Sequence, residues 1–360
     1  MRYTSTYSRK QIFLRSNPHL TLLGVVLVAG ALILTAHTRV SAPPNMHDTN
    51  AQETYWSARI QSVGGPAAYA EFAKYVSHLD AGDQHVLAHT FGAALYATSG
   101  LGGITVCDSR FSYGCYHEFV GRAIAALGIG VVNQINASCM SIAGSNACQH
   151  GIGHGILASL GYAAGDLAKT ISLCTKLPGG SFIDGCYAGS FMEYNMRTMI
   201  QLSGDERSVG TGGLLAPCTS YTGNPQLSCA LLQPQWWGVI LPGLEHIQGS
   251  PLFARMGELC SEYTGAAVVR KCFEGIGQMA GALADYTPVA SRILCDASSH
   301  NAGDRLYCRS YDAALFMNLN YGTSSALAVC SDLSSPAKDF CESYALGAAN
   351  PRHEIALPTL

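Results

Sequence analysis

CMSIAGSNACQHGIGHGILASLGYAAGDLAKTISLC, residues 139–174, reads as one complete unit of a repeat. Cys139 and Cys148 bracket a short run of turn formers. From Cys148 onward, Ile152, Leu157, Leu160 and Tyr162 recur at spacing compatible with one helix face. GYAAGD then breaks the run, with Asp166 as the expected N-cap of a second, shorter helix, DLAKTISLC, that ends at Cys174. Each unit is therefore a longer helix starting at the second cysteine of a couple, a turn, and a shorter helix ending at the next couple.

The couple recurs along the chain as Cys107/Cys115, Cys139/Cys148, Cys174/Cys186, Cys218/Cys229, Cys260/Cys272, Cys295/Cys308 and Cys330/Cys341. All 14 cysteines follow residue 106, and the first members stand 32 to 44 residues apart, the period of a helix-turn-helix repeat. Sequence alone leaves connectivity open. Pairing within each couple is the simplest choice, and closing so short a loop is worth ~3 kcal/mol in the chain-entropy account. Residues 56–106 lack a couple and are expected to cap the stack. The fold class expected is all-α: disulfide-stapled helical-hairpin repeats over residues 56–348, forming a curved superhelix or an α/α toroid, with an N-terminal membrane helix. Residues 349–360 are expected to be a poorly ordered tail.

Arg2, Arg9, Lys10 and Arg15 precede an uncharged run from Leu20 to Ala36, close to the ~20 residues that span a bilayer. Residues 1–17 read as a cytoplasmic basic tail, 18–38 as a transmembrane signal anchor and 39–55 as a linker. Val40-Ser41-Ala42 offers the alternative of a cleaved signal peptide. Either way the remainder is exported to the periplasm or cell exterior, where disulfides form, and the membrane is a partner through the N-terminal helix. Charged residues make up 12% of the chain and the net charge is −3, with no basic stripe interleaved with aromatics, so nucleic acid is excluded as a partner.

The disulfide-per-repeat layout over residues 107–341 resembles the Sel1-like cysteine-rich helical repeat proteins in period and bridging, although the Sel1 consensus is absent. The strings GCYHEF, CQHGIGHG and CYAGSFMEYN resemble motifs of exported microbial proteins. The resemblance implies an α-repeat with interaction surfaces and carries over no catalytic residue.

DQHVLAHTFG (83–92) aligns under CQHGIGHGIL (148–157), setting Gln84 on Gln149, His85 on His150 and His89 on His154, with Asp83 in place of Cys148. Two positions after the second cysteine the units carry His85, His117, His150, Ala188, Leu231, Glu274, Ser310 and Ser343. Four residues further on, on the same helix face, come His89, Gly121, His154, Met192, Gln235 and Gln278. Two imidazoles at this spacing grip one divalent ion, zinc or copper. His117 supplies a third from the neighbouring helix, and Glu118 and Glu193 are candidates for a further ligand or a general base to metal-activated water.

Curvature tests this cluster. In a flat stack the first and third units are ~16–20 Å apart, too far for one ion, and two separate sites or none are then expected. Only a tightly curved array gathers all five rings, and Gly121 is expected to leave room for that inward bend.

The competing reading is structural: duplication copies a packing histidine as readily as a ligand, and the protein is then a scaffold that binds a protein, peptide or glycan. Gly151 and Gly153 each cost ~1 kcal/mol of helix stability, and their recurrence as Gly275 and Gly277 without histidine favours close helix approach. No CxxC, GxSxG, phosphate-binding loop or HExxH occurs. Trp236-Trp237 reads as core rather than a glycan patch, Asn136-Ala137-Ser138 matches a glycosylation acceptor, and Glu245 and His246 read as structural.

Overall fold

The computed structural model describes residues 42–179, 182–199, 207–319 and 321–348. The basic tail (1–17), the signal anchor (18–38) and the C-terminal tail (349–360) expected from the sequence lie outside the described residues. Among those described, no helix is long and apolar enough to cross a membrane.

The described residues form α-helices and short helical turns, with no strand. In chain order the helices are α1 (Thr49–Val63), α2 (Gly65–Val76), α3 (Ala81–Ser99), α4 (Gly114–Leu127), α5 (Val132–Met140), α6 (Ser145–Leu160), α7 (Ala164–Thr175), α8 (Ala188–Met199), α9 (Asn224–Glu245), α10 (Gly249–Ser261), α11 (Ala266–Leu283), α12 (Pro288–Ala297), α13 (Ala302–Asn318), α14 (Thr323–Cys330) and α15 (Ala337–Ala348). One set packs in succession: α1 on α3, α3 on α4, α4 on α6, α6 on α8, α8 on α9, α9 on α11, α11 on α13 and α13 on α15. The helices α2, α5, α7, α10, α12 and α14 pair with members of that set as the second arm of each hairpin.

Every couple is bridged: Cys107–Cys115, Cys139–Cys148, Cys174–Cys186, Cys218–Cys229, Cys260–Cys272, Cys295–Cys308 and Cys330–Cys341. No cysteine is free, which fits folding in an oxidising environment. The first unit, which has no bridge, is held by rings instead. Trp56, Phe72 and Phe91 are fully buried, with ring centroids 4.9 Å apart for Phe72–Phe91 and 5.7 Å for Trp56–Phe91.

Glycines set how closely successive helices approach. A Cβ on Gly151 would stand 2.8 Å from the Tyr116 carbonyl oxygen of α4. Added Cβ atoms on Gly153, Gly275 and Gly277 would overlap the carbonyls of Cys186, Leu231 and Cys308 respectively. Backbone contact therefore accounts for these glycines and offsets their helix cost. Gly121 is different: a Cβ there meets nothing within 4 Å, so curvature does not require it.

Several boundaries differ from the sequence reading. α1 begins at Thr49, inside the stretch read as linker, because Asp48 caps it by accepting from the Ala51 N–H and Trp56 Nε1 donates to Gln52 within the buried face. Several helices start ahead of the second cysteine rather than at it: α6 begins at Ser145, before Cys148, and α11 at Ala266, before Cys272. Ala163, not Asp166, is the N-cap of α7, and Asp166 sits in its first turn where the helix dipole favours it. Ahead of Cys218, residues 207–217 form turns rather than an α-helix, around a buried Arg207. Its guanidinium bonds Asn195, Gln233 and the Ala216 carbonyl and lies 3.7 Å from the Trp236 ring centre. Trp236 and Trp237 are buried and donate to the Arg207 and Leu214 carbonyls, so both are core. Asn136 is fully buried and bonded to Pro178 and Gln149, which removes it as a glycosylation acceptor. His246 ends α9 in a left-handed conformation and Glu245 pairs with Arg255.

Candidate metal centre

The five histidines come from three helices that pack in succession: His85 and His89 from α3, His117 from α4, His150 and His154 from α6. They form two groups, His85/His89/His117 and His117/His150/His154, in each of which one ligand nitrogen per ring lies within 4.8 Å of the others. His117 belongs to both. Ring centroids are 4.6 Å apart for His85–His89, 5.2 Å for His89–His117, 4.3 Å for His117–His154 and 4.9 Å for His150–His154. Helix spacing of three and four residues sets each pair on one face, and the glycine contacts between α4 and α6 bring the faces together.

Hydrogen bonds on the far side of His85, His150 and His154 fix their tautomers. His85 Nδ1 lies 2.8 Å from the Phe111 carbonyl oxygen and His150 Nδ1 lies 3.1 Å from that of Asp184. A carbonyl only accepts, so both Nδ1 atoms carry the proton. His154 Nδ1 donates to Glu193 Oε2 at 2.8 Å. His89 Nδ1 faces Glu118 Oε2 at 3.8 Å, an ion-pair distance. In neutral His85, His150 and His154, Nε2 is then bare. Yet His85 and His89 bring their Nε2 atoms to 3.1 Å, and His150 and His154 bring theirs to 3.1 Å as well. At His150–His154 two lone pairs are thus held face to face and need a cation between them, either a proton or a metal ion, whereas at His85–His89 an Nε2–H of His89 satisfies the same distance.

On His85, His117 and His150 the proton is disfavoured. Burial, and then the neighbouring His89, push His85 down to about 4. Burial and the surrounding imidazoles, His154 foremost, hold His117 and His150 well below the usual histidine value. A metal ion suits the spacing. Nitrogens sharing a tetrahedral ion at ~2.0–2.1 Å stand about 3.3 Å apart, and the third nitrogen of the first group, His117 Nδ1, is 3.3 Å from His89 Nε2.

Glu118 and Glu193 both stand beside Nδ1 atoms, on the opposite side of the rings from the converging Nε2 atoms. They orient histidines, the arrangement that raises ligand basicity in metal sites. Arg122 bonds Glu118 at 2.7 Å, and Tyr162 donates to Glu193 at 2.5 Å. The His89 ring and then Arg122 keep the Glu118 carboxyl below its ordinary value, so it stays ionised. Burial acts to raise Glu193, but bonds from His154 and Tyr162 outweigh it and the carboxyl ends below its ordinary value.

Sequence reasoning missed the turn that presents these bonds. Phe111, Ser112 and Tyr113 all have positive φ, at 56°, 49° and 66°. Such non-glycine residues cost of order 1–3 kcal/mol each and persist only where surroundings hold them. Here the turn aims the Phe111 carbonyl at His85 and sets the Tyr113 ring 5.3 Å from that of His150. No residue type signals this in the sequence, because the functional atom is a backbone oxygen. The same is true of the Asp184 carbonyl. Glu274, which shares the histidine column, is instead paired with Arg270 at 2.8 Å and Lys271 at 2.6 Å.

The two groups differ in access: His85 and His89 are half-buried, whereas His117, His150 and His154 are buried. Helical hairpins, seven bridges and histidine groups able to hold a metal ion are what the chain presents. The chain matches no protein-family model, no curated protein and no solved structure, so the likeness in layout to Sel1-like repeats stands without a family behind it.

Proposed function

We propose that this is an exported, membrane-anchored helical-repeat protein that binds divalent metal, zinc or copper(II), through His85, His89, His117, His150 and His154. The observation that carries the reading is the Nε2–Nε2 contact of 3.1 Å between His150 and His154, whose Nδ1 atoms are both engaged as donors, with the His85–His89 contact at the same distance beside it. The repeat closes on itself as an α/α toroid with the histidines on its inner face. In support, the Tyr321 phenol between α13 and α14 reaches the Ala81 backbone at the start of α3 and feels Asp80. Asp184 likewise acts on Tyr113, Lys271, Tyr311 and Tyr344, which belong to four different helices or turns.

The half-buried first group leaves a coordination position on the side where His89 and Glu118 keep a third of their side-chain surface, 33% each. An ion with an open position activates water for attack on an ester, amide or phosphate. The same donor set serves metal storage or transfer.

Elemental analysis of the purified ectodomain tests the reading. Stoichiometric zinc or copper after reconstitution, lost in the His150→Ala/His154→Ala variant, is expected. Absence of bound metal overturns it and leaves a scaffold for a protein, peptide or glycan.

A further inference from the structure

His117 is the one imidazole shared by both groups, and its two nitrogens face different surroundings. Nδ1 stands 3.3 Å from His89 Nε2, within the first group. Nε2 is buried and has no hydrogen-bond partner. The His117 ring lies against His154 and His150, with centroids 4.3 and 5.2 Å away. A buried ring nitrogen without a partner has lost its water and gained nothing in exchange. Three of the other four histidines are hydrogen-bonded to an oxygen at Nδ1, and the fourth, His89, turns Nδ1 toward the Glu118 carboxylate at 3.8 Å. His117 alone has no such oxygen among its bonds and ion pairs: its Nδ1 is turned toward another histidine.

The geometry points to a two-ion centre in which His117 bridges the metals, with Nδ1 bound to the ion held by His85 and His89 and Nε2 to the ion held by His150 and His154. This rests on the metal-binding reading above and adds the number of ions and their coupling. Binding the second ion breaks the remaining His117 N–H bond. The proton leaves to solvent, the nitrogen lone pair bonds the metal, and the ring becomes an imidazolate carrying one negative charge between two dications. No oxidant or reductant is needed. With bonds of ~2.0–2.1 Å on both sides of one ring, the ions stand about 6 Å apart. The arrangement supplies each ion with three nitrogens from five rings. The ions are unequal in access: the second is enclosed by buried ligands, while the first is reached from the side where His89 is exposed.

Copper(II) is the probe, because two copper ions sharing an imidazolate couple their spins antiferromagnetically. The intact ectodomain is loaded to saturation, its copper content measured, and its low-temperature paramagnetic resonance intensity integrated. The inference expects two coppers per chain and an intensity at least two-fold below that of two independent ions. In His117→Ala, with disulfide map and circular dichroism matching the wild type, any copper retained gives the full intensity of separate ions. Two coppers with full two-spin intensity in the wild type overturn the bridge and leave the metal-binding reading intact. One copper per chain overturns the two-ion centre on the same terms. No copper overturns both. The wild-type measurement decides alone if the variant fails to fold.

Discussion

Gly189 at the start of α8 lies directly against the backbone carbonyl of His150 in α6, so closely that an added Cβ would overlap the oxygen. That contact sets the distance between the helix carrying His150 and His154 and the helix carrying Glu193. Gly189→Ala is expected to push α8 outward, at a cost of about 1–3 kcal/mol, because the obstructing atom is backbone. Gly121→Ala is the matched control. It lies inside α4, meets nothing within 4 Å, and is expected to gain about 0.5–1 kcal/mol. Urea unfolding of the two variants should show opposite signs.

Glu193→Gln tests how the second carboxylate works. The amide keeps the shape but presents a neutral acceptor, or an NH2, to His154 Nδ1. Metal affinity is expected to fall ~10–100-fold with the fold unchanged, read by competition with a chelator of known affinity. Unaltered affinity would remove Glu193 from the centre.

Asp312 gives a pH signature separate from the histidines. It is fully buried in α13, and burial raises its carboxyl to about 7, against which the Ser291 hydroxyl offsets only part. Its folded pKa lies above its unfolded one, so the folded state holds the proton. This contribution is complete below the ordinary aspartate range and is lost as pH rises through about 7. Asp312→Asn should therefore be more stabilising at pH 8 than at pH 5, by about 2–3 kcal/mol. Thermal melts at the two pH values check the sign; a larger gain at pH 5 would contradict it.

The metal-free protein is expected to show the opposite trend in acid. His85 is depressed to about 4 by burial first, so it stays neutral in the fold while the unfolded chain takes up a proton near the ordinary histidine value. Stability is full above about 6.5 and falls toward pH 4, with a slope of about 1.4 kcal/mol per pH unit for each such group. Chemical unfolding after chelation, repeated across that window, measures it. His85→Gln should flatten the slope.

Removing the Cys139–Cys148 bridge as a double alanine variant is expected to cost about 2–3 kcal/mol. Both sulfurs are fully buried, so reduction in the native state should be slow. Thiol labelling with and without urea checks this.

The all-helical character, the cysteine couples with pairing inside each as the simplest choice, and the phase relation of His85, His89, His117, His150 and His154 were legible in the sequence. They follow from local rules: spacing of three and four residues puts side chains on one helix face, and cysteines close along the chain meet across a short turn. Helix edges were less legible, because caps such as Asp48 and Ala163 compete with several residues nearby.

Tertiary structure alone decided what the histidines face. The carbonyls of Phe111 and Asp184 fix two of the rings, yet a backbone oxygen has no letter in the sequence. His117 meets both pairs only because α3, α4 and α6 pack at backbone contact. Local pattern sets which side chains share a face, whereas convergence of faces depends on close packing between segments far apart in the chain.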